Sequence, residues 1–204
     1  MTDWKLFCSS TSPYARKVRI VVEECGIADA VQEIAVSPMV RDKTFAQLLR
    51  VNPLAKIPSL VLSDGTTLYD SRVICEYLVS LPDTPSHLAF ANTDASAIRR
   101  RAALSDGILD AAFNLVMELR RPEPQRSEEW QARWEANIRS AISILADETM
   151  PEAPFDLGSI GALCVVDYLD FRLPKLGLVP KGLVVWRSLH ENRHSVLRTI
   201  PYDL

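Results

Sequence analysis

The stretch Lys5-Leu-Phe-Cys8-Ser9-Ser10-Thr11-Ser12-Pro13-Tyr14-Ala15-Arg16-Lys17-Val18 changes its hydrophobic period within a few residues, and the reading of the first third turns on it. Lys5 to Cys8 is a short run of strand type. From Pro13 the apolar positions Val18, Val21, Val22 and Cys25 recur at i, i+3, i+4 and i+7, the stripe of an amphipathic helix, with Arg16, Lys17, Arg19, Glu23 and Glu24 outside it. Pro13 suits the first helical position, and Ser12 before it suits the N-cap, its hydroxyl accepting from the amide of Ala15. Gly26 fits the residue after the C-cap, where a left-handed backbone is wanted. Val31 to Val36 reads as a second strand, so strand, helix and strand form a right-handed crossover with parallel strands.

Outward from that unit, Lys43 to Val51 reads as a short helix closed by Asn52-Pro53. Ser59 to Leu62 and Thr66 to Tyr69 flank Ser63-Asp64-Gly65, a hairpin signal. Asp70-Ser71 then caps a helix with Val73, Ile74, Tyr77, Leu78 and Leu81 on one face. The order βαβ then ββα predicts an α/β thioredoxin-like domain over residues 1–81. Pro82-Asp-Thr-Pro85-Ser-His87 opens a proline-rich linker over 82–92. Residues 93–204 carry helical patterns only and predict an all-α helical bundle domain. Its long helix runs from Thr93 to Arg120, Pro122 and Pro124 break the chain, and a second helix covers Ser127 to Thr149. A third opens at Asp156, and its stretch Ile160 to Val166 is apolar on every side, as a helix in the middle of a bundle is. It ends near Arg172-Leu-Pro174, and shorter helices follow around Leu183 to Asn192 and Ser195 to Thr199.

Composition excludes several classes of function. The chain has 204 residues, with 23 Lys and Arg against 26 Asp and Glu and a formal net charge of −3. A protein that neutralises nucleic-acid phosphates carries a basic excess, so no nucleic-acid partner is expected. With 48% hydrophobic and 24% charged residues the chain can bury a core, which excludes wholesale disorder. The first residues hold no basic segment followed by an apolar run, and no apolar stretch is long enough to span a bilayer, so a soluble cytoplasmic protein with no membrane partner is expected. Cys8, Cys25, Cys75 and Cys164 lie far apart in apolar segments and form no C-x-x-C pair, which fits reduced core thiols. His190 and His194 stand at helical i, i+4 spacing, but no acidic residue completes a metalloenzyme pattern. They read as exposed polar residues, and no metal site is expected.

Chemistry concentrates in Cys8-Ser9-Ser10-Thr11-Ser12-Pro13-Tyr14, where a strand ends and a helix begins. Capping alone explains Ser12. The same geometry also lets a hydroxyl donate to an anion held against the positive end of the helix dipole, and a thiolate is such an anion.

The run Thr11-Ser-Pro-Tyr-Ala-Arg-Lys-Val-Arg-Ile20, then Asn52-Pro-Leu-Ala-Lys-Ile-Pro58-Ser-Leu60, Leu68-Tyr-Asp-Ser71, Asp156 to Ser159 and Tyr168-Leu-Asp-Phe-Arg-Leu-Pro174, resembles the bacterial cytosolic glutathione S-transferases in order and spacing, over nearly the whole chain. The resemblance implies a glutathione-binding first domain, a helical second domain contributing the electrophile pocket, a homodimer and a role in detoxification. It implies that Ser12 is the catalytic serine, hydrogen-bonding the sulfur of glutathione as co-substrate. It makes Pro58 the family's cis-proline, an isomer found in only about 5–6% of X-Pro bonds and so not readable from the residues themselves. The backbone of Ile57 is then expected to pair with the tripeptide as an added strand. Asp70 and Ser71 are expected to grip its γ-glutamyl end, and Lys56 its glycyl carboxylate.

By the same resemblance the second-substrate pocket lies between Tyr14 and the long helix at Ser105, Ile108, Leu109 and Ala112, although the spacing of these residues is equally that of core packing. By the same analogy Tyr69, Arg72 and the outer face of the long helix are candidates for the dimer contact. The buried helix departs from the family in one respect: Asp156 stands first and Ser159 third, where relatives commonly place the hydroxyl residue first. The cap is expected to survive with its partners exchanged.

The expected activity is conjugation of glutathione to a small apolar electrophile. Two alternatives stand beside it: a glutathione-dependent isomerase or dehalogenase, and a non-catalytic binding or regulatory protein of the same fold. Ser12-Pro-Tyr-Ala15 occupies the place of a glutaredoxin-type Cys-Pro-Tyr-Cys without either thiol, so disulfide exchange is not expected there. Ser9, Ser10, Thr11 and Cys8 remain alternative contacts for the sulfur.

Overall fold

The computed structural model describes residues 3–88, 95–149 and 154–202. The chain divides into two compact units, Met1–Thr93 together with Asn192–Leu204, and Asp94–Glu191.

The first unit is built on a four-stranded sheet in the order β2-β1-β3-β4, with β1 Trp4–Cys8, β2 Val31–Ala35, β3 Ser59–Val61 and β4 Thr67–Leu68. β1 and β2 are parallel and are joined by α1, Pro13–Glu24, as the crossover pattern predicts. β1 pairs antiparallel with β3, and β3 with β4. The hairpin turns at Gly65, at φ 86°, a left-handed value that glycine adopts without steric cost. Gly26 at φ 68° closes α1, with its amide on the carbonyl of Glu23. Leu6, Val18, Val21, Leu60, Ile74 and Leu78 form the core between the sheet and the helices α1 and α3, Ser71–Val79. On the other side Phe7, Val36 and Leu48 cluster under α2, Lys43–Val51, with Ile34, Val51, Ile57 and Val61 against them.

Register brings the sequence motifs to one end of this sheet. Phe7 lies opposite Ser59, so the loop leaving β1 emerges beside the loop entering β3. Leu60 lies opposite Leu68, which sends the exit of β4 toward α3 to the same end. Three segments far apart in the chain, 9–12, 56–58 and 69–71, therefore share one edge.

The second unit comprises α4 Ala95–Leu119, α5 Glu128–Glu148, α6 Leu157–Arg172 and α7 Lys181–Ser188. The expected start of the long helix at Thr93 lies outside the described residues, as do residues 89–92 of the expected linker. α6 is buried on all sides from Leu157 to Val166. Asp156 caps it: its Oδ1 accepts from the amide of Ser159 at 2.9 Å and its carboxylate takes both bonds from Arg101 Nη2, at 3.0 and 2.7 Å. The exchange of partners is realised, and the hydroxyl of Ser159 donates to the carbonyl of Pro154. Two glycines let α4 approach closely. A Cβ at Gly158 would lie 2.4 Å from Arg101 Nε, and one at Gly161 would lie 3.0 Å from Ser105 Cβ.

The structure corrects several expectations. Asn192–Leu204, expected in the helical domain, belongs to the first unit, because α8, His194–Leu197, packs on α1. Arg16 and Lys17, expected outside the apolar stripe, are buried; α1 is covered by α3 on one side and by this returning segment on another. Within the expected linker, Leu88 is buried and Thr84 Oγ1 donates to the carbonyl of Leu78. His190 is not an exposed helix residue: its ring stacks on Phe155 at 4.7 Å and meets the edge of Trp186 at 4.8 Å. His194 is exposed and begins a different helix, so the two imidazoles share no face.

Candidate functional site

The shared edge of the sheet is the candidate site, and each part of it rests on a local device. Ser12 is the N-cap of α1, with Pro13 at the first helical position, and its hydroxyl oxygen accepts from the amide of Ala15 at 3.2 Å. The bond is long for its type, and the side chain is partly exposed. Since the oxygen is the acceptor, the O–H remains a donor, standing at the positive end of a 12-residue helix.

The loop entering β3 holds the cis Ile57–Pro58 bond that the resemblance assigns. A buried asparagine that sequence reasoning missed organises it. Asn52 caps the end of α2, and its Nδ2 donates to the carbonyl of Lys56 and to Ser59 Oγ, both at 3.0 Å. Its Oδ1 accepts from the amide of Leu54 at 3.0 Å, and Ser59 Oγ donates to the same Lys56 carbonyl at 2.9 Å. These bonds fix the backbone on both sides of Lys56-Ile57-Pro58, and Ala55 between them takes a left-handed φ of 50°. The one signal in the sequence was Asn followed by Pro at a helix end, which reads as a stop and says nothing of a brace. Pro58 is buried, Ile57 partly exposed, and the Lys56 side chain is exposed.

At the third segment Asp70 is the N-cap of α3 and accepts from the amide of Arg72 at 3.0 Å. Its carboxylate is exposed, while Ser71, the first helical residue, is buried. Register thus brings Ser12, Lys56, Ile57, Pro58, Asp70 and Ser71 to the same end of one sheet.

Two of the alternative sulfur contacts are otherwise engaged. The Cys8 thiol is buried beside Glu33, and desolvation first, then the Glu33 carboxylate, push its pKa up to about 12. It stays a thiol at neutral pH and is a poor nucleophile. Ser10 Oγ donates to the carbonyl of Tyr202 at 2.8 Å.

The pocket residues expected on the long helix are interior ones. Ser105, Ile108, Leu109 and Ala112 are 0, 1, 0 and 0% exposed, and Ser105 Oγ donates to the carbonyl of Arg101. α4 packs against α5 and α6, and Ser105 stands against Gly161 of α6. Tyr14 is partly exposed. Among the described residues no group of three or more His, Cys, Asp or Glu is placed to hold a metal, and no helix is long and apolar enough to cross a membrane.

Residues 11–81 match the family described as glutathione S-transferase, N-terminal domain. An Escherichia coli K12 protein described as the uncharacterized GST-like protein YibF is 35% identical over 173 residues, which cover 82% of this chain and 83% of that protein. A glutathione transferase family member from Pseudomonas fluorescens Pf-5, solved with bound glutathione, is 33% identical with a TM-score of 0.88, covering 98% of this chain and 100% of that one. A glutathione S-transferase from Methylobacillus flagellatus KT, also solved with glutathione, is 33% identical with a TM-score of 0.85 at the same coverage.

Proposed function

The chain belongs to the bacterial glutathione S-transferase family, and from that premise we propose that it is a glutathione transferase in which Ser12 activates the thiol for attack on a small apolar electrophile. The observation that carries the reading is the Ser12 hydroxyl, its oxygen tied to the Ala15 amide and its hydrogen left to donate at the start of α1.

Glutathione lies along the shared edge. Its cysteinyl backbone pairs with Ile57 beside Pro58, its γ-glutamyl end meets Asp70, Ser71 and the first amides of α3, and Lys56 reaches the glycyl carboxylate. Ser12 donates to the sulfur and favours its ionised form, and the proton leaves to solvent. In attack on a chloronitroaromatic, the sulfur forms the new bond to the ring carbon and chloride departs with its electron pair. A tenfold gain in thiolate requires about 1.4 kcal/mol of preferential stabilisation, and one charge-assisted hydrogen bond supplies about 1.5–3 kcal/mol. The magnitude suffices, but a less basic thiolate is also less nucleophilic, so most of the rate gain comes from holding the electrophile against the sulfur. The protein works in the cytoplasm as a homodimer.

Retention on immobilised glutathione and conjugation of a chloronitroaromatic, by wild type and by Ser12→Ala, test the reading. Wild type is expected to bind and turn over, with turnover reduced tenfold or more in Ser12→Ala. Wild type without retention or turnover overturns the enzyme reading; turnover untouched by Ser12→Ala moves the sulfur contact to Ser9 or Thr11.

A further inference from the structure

The returning segment makes a series of contacts whose order is informative. At the last turn of α1, Glu24 takes two bonds from Arg193, at 3.0 and 2.7 Å, and one from the hydroxyl of Ser195. Glu23 beside it faces His194 at 3.6 Å and Arg198 at 3.5 Å. Toward the start of the helix, Arg19 Nη2 donates to the carbonyl of Arg198 at 3.4 Å and, nearly a turn further on, Arg16 Nε donates to Thr199 Oγ1 at 3.4 Å. Ser10, before the helix, donates to the carbonyl of Tyr202 at 2.8 Å. Numbers fall along α1 as they rise along the segment: the chain returns antiparallel to the helix, firmly tied at the far end and reaching the serine loop with its last described residue.

We propose that residues 192–202 are a strap that positions the thiol-activating loop, and that Ser10 is the positioning residue through which the strap acts. The proposal rests on the reading of the 9–12 loop as the sulfur site. β1 holds this loop at one end and the cap of α1 at the other, and the residues between have no regular backbone pairing. A side-chain bond from Ser10 to a carbonyl already registered by the Glu24, Arg19 and Arg16 contacts supplies a third point of fixation. It also occupies the Ser10 hydroxyl, which then does not compete with Ser12 for the sulfur. Positional control of this kind affects rate through the geometry of the reacting groups.

A double-mutant cycle tests it in the full enzyme: Ser10→Ala, a chain stopped after Ile200, and the two combined, with Ser10→Thr as the conservative variant. The readouts are the thiolate absorbance of bound glutathione as a function of pH, the separate values of kcat and KM, and hydrogen exchange of residues 9–12. Each single change is expected to lower kcat twofold to tenfold, with a matching loss of thiolate at neutral pH and faster exchange in the loop. The combination is expected to be no worse than either alone, and Ser10→Thr to stay near wild type. Glu24→Gln, which loosens the far end, gives a second route should the shortened chain not fold, and is expected to raise loop exchange in the same direction. Single variants that match wild type in all three readouts overturn the strap, as do effects that simply add. Ser12→Ala measured alongside judges the serine reading separately: a large loss there with silent Ser10 variants refutes the strap alone, while coupled Ser10 effects with a silent Ser12 uphold the strap and refute the serine.

Discussion

The N-termini of α1 and α6 use the same device for different ends. Each is capped by a side-chain oxygen accepting from the amide three residues on, at 3.2 Å for Ser12 and 2.9 Å for Asp156. At α6 the cap is sealed: Asp156 is 4% exposed and bound to the guanidinium of Arg101, whose Nη1 also donates to the carbonyl of Glu148. At α1 the cap is neutral, partly exposed and tied by a single long bond, so its hydroxyl can still address a ligand. A buried, fully paired cap serves stability, whereas a partly exposed and under-committed one is free for chemistry.

That contrast can be broken most forcefully at Asp156. Asp156→Ala leaves the Arg101 guanidinium buried without its partner, and a cost of about 3–5 kcal/mol is expected in denaturant unfolding, beyond the roughly 0.5–2 kcal/mol of a cap alone. A loss within the range of a simple cap would show that the ion pair adds nothing. Gly158→Ala sharpens the same side of the comparison. Its Cβ would fall 2.4 Å from Arg101 Nε, on a side chain pinned by Asp156, and about 1–3 kcal/mol of destabilisation is expected by thermal or chemical unfolding.

A smaller effect is expected at the other end of α1. Burial alone raises the pKa of Glu24, but the bonds from Arg193 and Ser195, with the charge of Arg193 and the nearby His87, outweigh it and hold the carboxyl below its ordinary range. Because the folded-state value lies below the unfolded one, ionised Glu24 stabilises the fold above the ordinary glutamate range, and that contribution is lost as pH falls through the folded-state value. Glu24→Gln is expected to cost about 0.5–1.5 kcal/mol at neutral pH and nothing once the wild-type carboxyl is protonated, a difference read from melting temperature against pH. Equal costs at both ends of the pH range would contradict the ionic anchor. The smallest effect belongs to Cys8: with its pKa pushed up to about 12, the thiol is expected to resist iodoacetamide in the native protein at mildly alkaline pH and to react once urea unfolds it.

The element order was legible in the sequence because caps and breakers are local: Ser12-Pro13, Gly26, Asp64-Gly65, Asp70 and Asp156 each mark a boundary that the structure keeps within a residue or two. The meeting of the three site segments was not local. It follows from the register of Phe7 with Ser59 and of Leu60 with Leu68, and only the family resemblance supplied it in advance. The brace of Asn52 was hidden because its partners are backbone groups, which no side-chain pattern reports. The burial of Arg16, Lys17 and His190 was missed for a related reason, since periodicity marks them as polar and only tertiary packing shows what covers them. Ser105, Ile108, Leu109 and Ala112 show the converse: their helical spacing was that of a core, and core is where they lie.

We propose that the partly exposed cap of α1 favours the ionised thiol of glutathione. Titrating the thiolate absorbance of bound glutathione in wild type and in Ser12→Ala addresses it most directly. Wild type is expected to hold the thiol ionised at neutral pH, and Ser12→Ala to shift its titration upward by about one to two pH units while binding persists. Superimposable titration curves for the two proteins would contradict it.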